Sequence, residues 1–511
     1  MGGIRLGTAA GRWVITATVL GSGMAMLDAT VINIALPAID NYFQASLSGL
    51  QWTLDGYLLT LSALILLGGS LADRFGRRRI FIVGTVWFAI ASLLCMVAPT
   101  IGFLVAARVL QGVGAALLTP VSLAILQTAL TPDDRGRGIA IWSGTVGIST
   151  AVGPVLGGWL IDVASWQWIF ALNLPIALVV VLIAVRHIPA VDEARTVGSL
   201  DFVGAVLGVG SLAGLTYGFI RWGEHGWDAL VLVTLVAGVI GMAAFVLAEL
   251  KIADPMLPPR LFANRQFTGT NLVTFGLYAA LTTSLFLLVV HLQDALNYTP
   301  LQAGLATVPV TVLMLIGSDA AGRVAGRIGP RLPLTIGPIL AAAGLAMLAF
   351  VDEGSGYLTG VLPGVLVFGV GLTVVVAPLT ATVLAAAADE VAGIASGVNN
   401  AIARTGGLLG IAVVPLLAGG AAGAAYRMGV LITAVLAGVS GLIGWWSLAG
   451  ARRAVPAPRP AVREPEAKAG PEDVVLRPTG VVAHQYSCGA DAPPLRVAPA
   501  GATERGVGYH S

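Results

Sequence analysis

Charge is what this sequence lacks most. Only 11% of its residues are Asp, Glu, Lys or Arg, 57% are hydrophobic, and the mean hydropathy is +0.88. No water-soluble fold hides that much apolar surface, so a soluble globular domain is excluded. The net charge of +2 provides no general basic field, and no nucleic-acid partner is expected. Cysteine is confined to Cys95, inside an apolar run, and Cys488, in a polar one, a pair with neither a disulfide framework nor metal-ligand spacing. Histidine is scattered at His187, His225, His291, His484 and His510, and no phosphate-cradling Gly-Lys-Ser/Thr loop occurs. An enzymatic site, a metal centre, a cofactor and ATP-driven pumping are therefore not expected.

What the sequence does have is long apolar runs. A hydrocarbon core about 30 Å thick takes about 20 residues of helix. That length divides the chain into segments 13–37, 48–71, 80–98, 101–128, 138–163, 167–186, 201–220, 228–250, 268–291, 301–321, 332–350, 357–385, 394–419 and 428–450. Polar breaks at Thr131-Pro132-Asp133-Asp134-Arg135 and Asp389-Glu390 separate neighbouring segments and favour fourteen spans over twelve or thirteen. Arg5 and Arg12 ahead of the first run resemble a secretory signal, but no small-residue cleavage site follows and the run contains Asp28, so it reads as a retained first helix.

Basic residues fall on one side of these spans: Arg5 and Arg12, Arg74 and Arg77 to Arg79, Arg135 and Arg137, Arg186 and Arg195, Lys251, Arg260 and Arg265, and Arg323, Arg327 and Arg331. The other side holds Arg221 and Arg427. Cationic loops are retained inside the cell, so both termini are expected in the cytoplasm of a multi-pass inner-membrane protein. An Ala- and Gly-rich, Lys-poor composition suits a high-GC bacterium. From Ala451 the chain becomes Pro-, Ala- and charge-rich, with too few apolar residues to offset the entropy of ordering.

A faint internal repeat links Asp73-Arg74-Phe75-Gly76-Arg77-Arg78, after segment 2, to Gly326-Arg327-Ile328-Gly329-Pro330-Arg331, after segment 10. Related loops at matching places indicate duplicated bundles. The expected architecture is an all-α membrane protein: a six-helix bundle over 1–190, an inserted helix pair over 191–260, a second six-helix bundle over 261–450 and a disordered cytoplasmic tail over 451–511. It is expected to work as a monomer.

Polar residues inside apolar segments are costly and are functional hypotheses by default. Asp28 lies in the middle of segment 1 and Asp55 in segment 2, where an ionised carboxylate is poorly solvated and proton uptake becomes possible near neutral pH. Alternatively each is neutralised by Arg108, Arg404 or a hydroxyl and merely fastens helices. Arg108 in segment 4 shares a face with Gln111 and Gly112 and either meets a partner or snorkels to the nearer interface. Trp52 and Asp55 share a face at i and i+3, so an aromatic ring and a carboxylate can together recognise a cation, or Trp52 is a belt residue at the membrane interface. In segment 5, Ser149, Gly153 and Gly157 form a ridge of small residues for close helix approach, and Pro154 removes a backbone donor and bends the helix.

These motifs resemble the major facilitator superfamily. Gly69-Ser70-Leu71-Ala72-Asp73-Arg74-Phe75-Gly76-Arg77-Arg78 is similar to its signature loop between helices 2 and 3, with Asp73 placed to pair with an arginine or cap a helix. In the second copy Gly326 stands where Asp73 does. Arg108-Val109-Leu110-Gln111-Gly112-Val113-Gly114 resembles its second motif. Ser149, Gly153-Pro154 and Gly157-Gly158 resemble its antiporter motif, with Ser149 in place of the usual glycine. Leu27-Asp28-Ala29-Thr30-Val31-Ile32-Asn33-Ile34-Ala35-Leu36-Pro37, Gln51-Trp52-Thr53-Leu54-Asp55-Gly56-Tyr57-Leu58-Leu59 and the stretch Ser396 to Gly410 resemble its fourteen-helix drug:proton antiporter branch. The resemblance spans residues 10 to 450. It implies proton coupling through Asp28, Asp55 and Arg108, substrate contacts at Asn33, Trp52, Asp55, Tyr57 and Gln111, and export of small amphiphilic or cationic compounds. The alternatives are a dedicated exporter of one endogenous metabolite or lipid, or a membrane sensor or scaffold.

Overall fold

The computed structural model describes residues 3–189, 200–252, 255–352, 354–387, 391–419 and 422–449. Those residues are almost wholly helical. Thirteen helices are long and apolar enough to cross a membrane, and the shorter apolar helix Pro333–Leu348 makes a fourteenth crossing. In chain order they are α1 Ala9–Phe43, α2 Leu47–Phe75, α3 Arg77–Met96, α4 Ile101–Ala129, α5 Pro132–Val163, α6 Trp168–His187, α7 Phe202–His225 and α8 Ala229–Glu249. They continue with α9 Arg265–Asp294, α10 Pro300–Ile328, α11 Pro333–Leu348, α12 Leu362–Ala385, α13 Ala392–Ala418 and α14 Ala422–Ser447. Large apolar side chains stand exposed around the outside, among them Val206 (70%), Ile240 (63%) and Trp446 (77%). Such a surface suits lipid rather than water.

Local chemistry starts the helices where the polar punctuation lies. Thr8, Ser46, Thr100, Asp201, Asp228 and Asn264 each accept a backbone N–H of the helix they precede, and Thr299 forms a reciprocal capping box with Gln302. Asp228, outside the spans, is held below its ordinary carboxylate pKa first by Arg221, whose Nη2 lies 2.7 Å from Oδ2, and then by the N–H of Val231. Two expectations need correcting. Segment 1 does not stop at Pro37 but runs to Phe43, because a buried proline costs one helical hydrogen bond without ending a helix that is packed on both sides of it. The Thr131–Arg135 break does separate α4 from α5, but segment 5 begins before 138: Pro132 opens α5, and Asp133 and Asp134 occupy its first turn. The Asp389-Glu390 break, Arg195 and the expected tail lie outside the described residues.

The repeat seen faintly in sequence has a matching backbone. Gly76 ends α2 with φ +94° and Gly329 ends α10 with φ +92°, a region that L side chains rarely adopt. Most of one apolar core comes from α1 to α6 and a second one from α9 to α14. Between them in sequence, α7 and α8 pack through small residues: a Cβ on Gly214 would lie 3.3 Å from Gly238 Cα. Of α8, only Val231, Gly238 and Glu249 are buried, which leaves most of it facing outward.

Candidate functional site

Five helices of the first half meet around one carboxylate. Asp28, on α1, is 4% exposed, and Arg108, on α4, is 1% exposed; Arg108 Nη1 donates to Asp28 Oδ2 at 2.5 Å and to Gln111 Oε1 at 2.6 Å. Arg108 Nε donates to the carbonyl of Thr53 at 3.1 Å, and the guanidinium lies 4.5 Å from the Tyr57 ring centre. Gln111 Nε2 donates to Asp28 Oδ1 at 2.8 Å and to Ser92 Oγ at 3.0 Å. Asn173 Nδ2, from α6, donates to the same Asp28 oxygen at 3.1 Å and to Ser92 Oγ at 3.2 Å. Each oxygen of Asp28 is thus engaged, as burial of a charge requires. The snorkelling alternative for Arg108 is excluded, and Arg108 rather than Arg404 neutralises Asp28.

Sequence reasoning missed Asn173 and Ser92. The available signal was an amide within the apolar run Leu172-Asn173-Leu174-Pro175; a lone serine in α3 carried none, since serines bond their own helix as often as a neighbour.

Other expected residues lie apart from this cluster. Asp55 is fully buried, and both its oxygens lack a hydrogen-bond partner. Trp52 faces Tyr217 of α7, with ring centres 6.3 Å apart. Asn33 donates to Ala29 of its own helix and leaves Oδ1 unpartnered. Tyr57, like Gln111, is an expected contact residue that does join the cluster, through its ring over Arg108, while its hydroxyl donates to Ala25 O at 3.3 Å. From the second half, Arg404 of α13 reaches Met26 Sδ on α1 at 3.5 Å.

The small-residue ridge packs on two neighbours. A Cβ on Gly157 would lie 2.5 Å from Val31 Cγ1; one on Gly153 would collide with Thr30, and Ser149 faces Gly23. Turned the other way, Gly158 would meet Leu301 Cα at 2.6 Å, and Gly304 lies against the carbonyl of Pro154. The motif therefore holds α5 against α1 on one side and against α10, from the second half, on the other.

At the arginine-rich end, Arg77 Nη2 donates to Asp73 Oδ1 at 2.8 Å, and Nη1 donates to the carbonyl of Ala124 at 3.1 Å. Arg78 reaches the carbonyl of Val185, Arg74 lies over Phe75, and Gly69 passes Pro120. Asp73, in the last turn of α2, thus pairs with the first residue of α3 and does not cap that helix, α3 having no side-chain cap. Among the described residues, hydrogen bonds that join the two halves gather toward the opposite end. Gln293 Nε2 donates to Ile34 O at 3.0 Å, Gln51 Nε2 to Ile411 O at 2.7 Å, and Leu301 N to Asp162 Oδ2 at 3.3 Å.

Residues 18–410 match the Major Facilitator Superfamily. The puromycin resistance protein pur8 of Streptomyces alboniger is 38% identical over 389 residues, which cover 74% of this chain and 75% of that one. The tetracenomycin C resistance and export protein of Streptomyces glaucescens is 33% identical over 374 residues, 73% of this chain and 69% of the relative. A crystal structure of the peptide transporter POT in complex with sulfate shares the fold, with a TM-score of 0.65 at 13% identity over 88% of this chain and 96% of that one. The chain belongs to the Major Facilitator Superfamily, in a fourteen-helix form with relatives named for antibiotic resistance and export.

Proposed function

We propose that the chain exports small amphiphilic or cationic organic compounds, antibiotics among them, in exchange for protons, by alternating access between its two helical halves. The observation that carries this reading is the buried Asp28–Arg108 pair, because it ties a buried carboxylate of the first half to the packing of α1, α4 and α6. Protonating Asp28 removes the charge that Arg108, Gln111 and Asn173 are arranged around, so proton binding and helix arrangement must change together. Asp55 is a second buried carboxylate, with no hydrogen-bond partner among the described residues. With the arginine-rich end taken as cytoplasmic, the cross-half hydrogen bonds gather at the external end, and among the described residues Asp73 makes its hydrogen bonds within the first half.

Inverted vesicles under an applied pH gradient test this, with solute uptake recorded beside equilibrium binding. Asp28→Asn retains solute binding and loses gradient-driven uptake; Asp55→Asn narrows the range of cationic solutes. Full pH-driven uptake by Asp28→Asn removes that residue from coupling, and unchanged handling of cations by Asp55→Asn removes it from recognition.

A further inference from the structure

A second acidic site sits far from Asp28, where α7 begins and α8 ends. Asp201 is 5% exposed and Glu249 is 1% exposed. Each spends one oxygen on a backbone N–H: Asp201 Oδ1 accepts from Gly204 at 2.7 Å, and Glu249 Oε2 accepts from Leu257 at 3.0 Å, in the connection to α9. The remaining oxygens, Asp201 Oδ2 and Glu249 Oε1, are buried without a partner and meet over the same glycine. A Cβ on Gly204 would lie 2.7 Å from Glu249 Oε1 and closer still to Asp201 Oδ2. Among the described residues no cation pairs with either carboxyl, and Lys251, two residues beyond Glu249, is exposed. Around the neighbouring Ala205, α2 and the connection contribute apolar groups: Leu64, Leu67, Leu71 and Met256.

Two ionised carboxylates facing each other there would leave two acceptors unpaired and repelling. A single proton between them converts both into one hydrogen bond. We propose that Asp201 and Glu249 hold one proton between them, making the arginine-rich end of α7 and α8 a proton-binding site separate from Asp28. Its occupancy fastens the connection after α8, through Leu257, beside the part of α2 that leads into the Asp73 loop. The proton is held at low pH. As pH rises it leaves to water, the carboxylates repel, and the connection is released.

This does not rest on the transport reading, and its test needs no transport. Hydrogen exchange of the amides around Leu257 is measured in the full chain in lipid nanodiscs across a pH series, expressed as protection relative to the intrinsic rate at each pH. Opening that releases one proton makes wild-type protection fall about tenfold per pH unit over the range in which the closed pair keeps its proton and the opened one does not, and level off once the closed pair has lost it. In Glu249→Gln the side-chain amide donates to Asp201 without needing a proton, so protection stays high and flat. Asp201→Asn, which still caps Gly204 through its carbonyl oxygen, behaves the same way and guards against misfolding of the first variant. A flat wild-type profile, or a wild-type slope surviving in both variants, overturns the proposal. So does recovery of wild-type protection at high pH on adding calcium alone, which would make the pair a cation site.

Discussion

The two halves share a backbone plan but carry different chemistry at their centres. In the first half an aspartate, an arginine and two amides interlock, with the charges 1–4% exposed. In the second half a partly buried polar contact between helices is neutral: Asn399 Nδ2 donates to Asn271 Oδ1 at 3.0 Å and to Thr274 Oγ1 at 2.8 Å. The loops differ in the same direction. The first pairs Asp73 with Arg77, whereas the second has Gly326 and sets Arg331 on the Trp445 ring at 3.7 Å. A duplicated scaffold keeps what the backbone needs, the positive-φ glycine, and is free to divide charge unequally.

The largest expected effect comes from splitting the charged pair. Arg108→Ala leaves Asp28 buried and unpaired, which costs about 3–5 kcal/mol and should appear as a marked loss of thermal stability in detergent together with loss of efflux. The double variant Asp28→Asn/Arg108→Gln, with no buried charge, should regain most of that stability yet show no pH-driven uptake. Recovery of both would mean the pair only fastens α1 to α4.

Next comes Gly157→Leu, which drives a side chain into Val31 and should cost about 1–3 kcal/mol of packing, with the protein inserted but inactive. Active transport by that variant would mean α5 moves past α1 without close contact.

Asp73→Asn should leave stability nearly unchanged, since a partly exposed ion pair contributes about 0–1 kcal/mol, while reducing efflux severalfold in cells with normal membrane levels of the protein. Normal efflux would remove the loop from the mechanism. The converse variant Gly326→Asp, which supplies the second loop with the missing carboxylate, should have little effect if the asymmetry is functional.

The smallest effect is expected in the neutral half. Asn399→Ala removes hydrogen bonds worth about 1 kcal/mol and should leave the pH dependence of transport as in the wild type. A shifted pH profile there would show that proton handling is shared between the halves.

Much of this was legible beforehand for a physical reason. A bilayer imposes its thickness on every helix, so apolar run length and arginine placement specify the spans with no knowledge of packing. Asp28 and Arg108 stood out because a charge in an apolar run is rare. Their pairing was one of several open choices, since spacing within a helix says nothing about which helix lies opposite. Asn173 and Ser92 stayed hidden because small polar residues in membrane helices commonly bond their own backbone, as Ser62 and Thr85 do here.

The sequence by itself determined the class of protein and the number of crossings, because each follows from transfer of local chain segments between water and hydrocarbon. Only the tertiary structure decided that Arg108 answers Asp28 while Asp55 stands without a partner, that the ridge of α5 serves both α1 and α10, and that Asp201 meets Glu249. Each of these joins helices distant in the chain, and which side chains face one another is set by helix rotation and packing of the whole bundle.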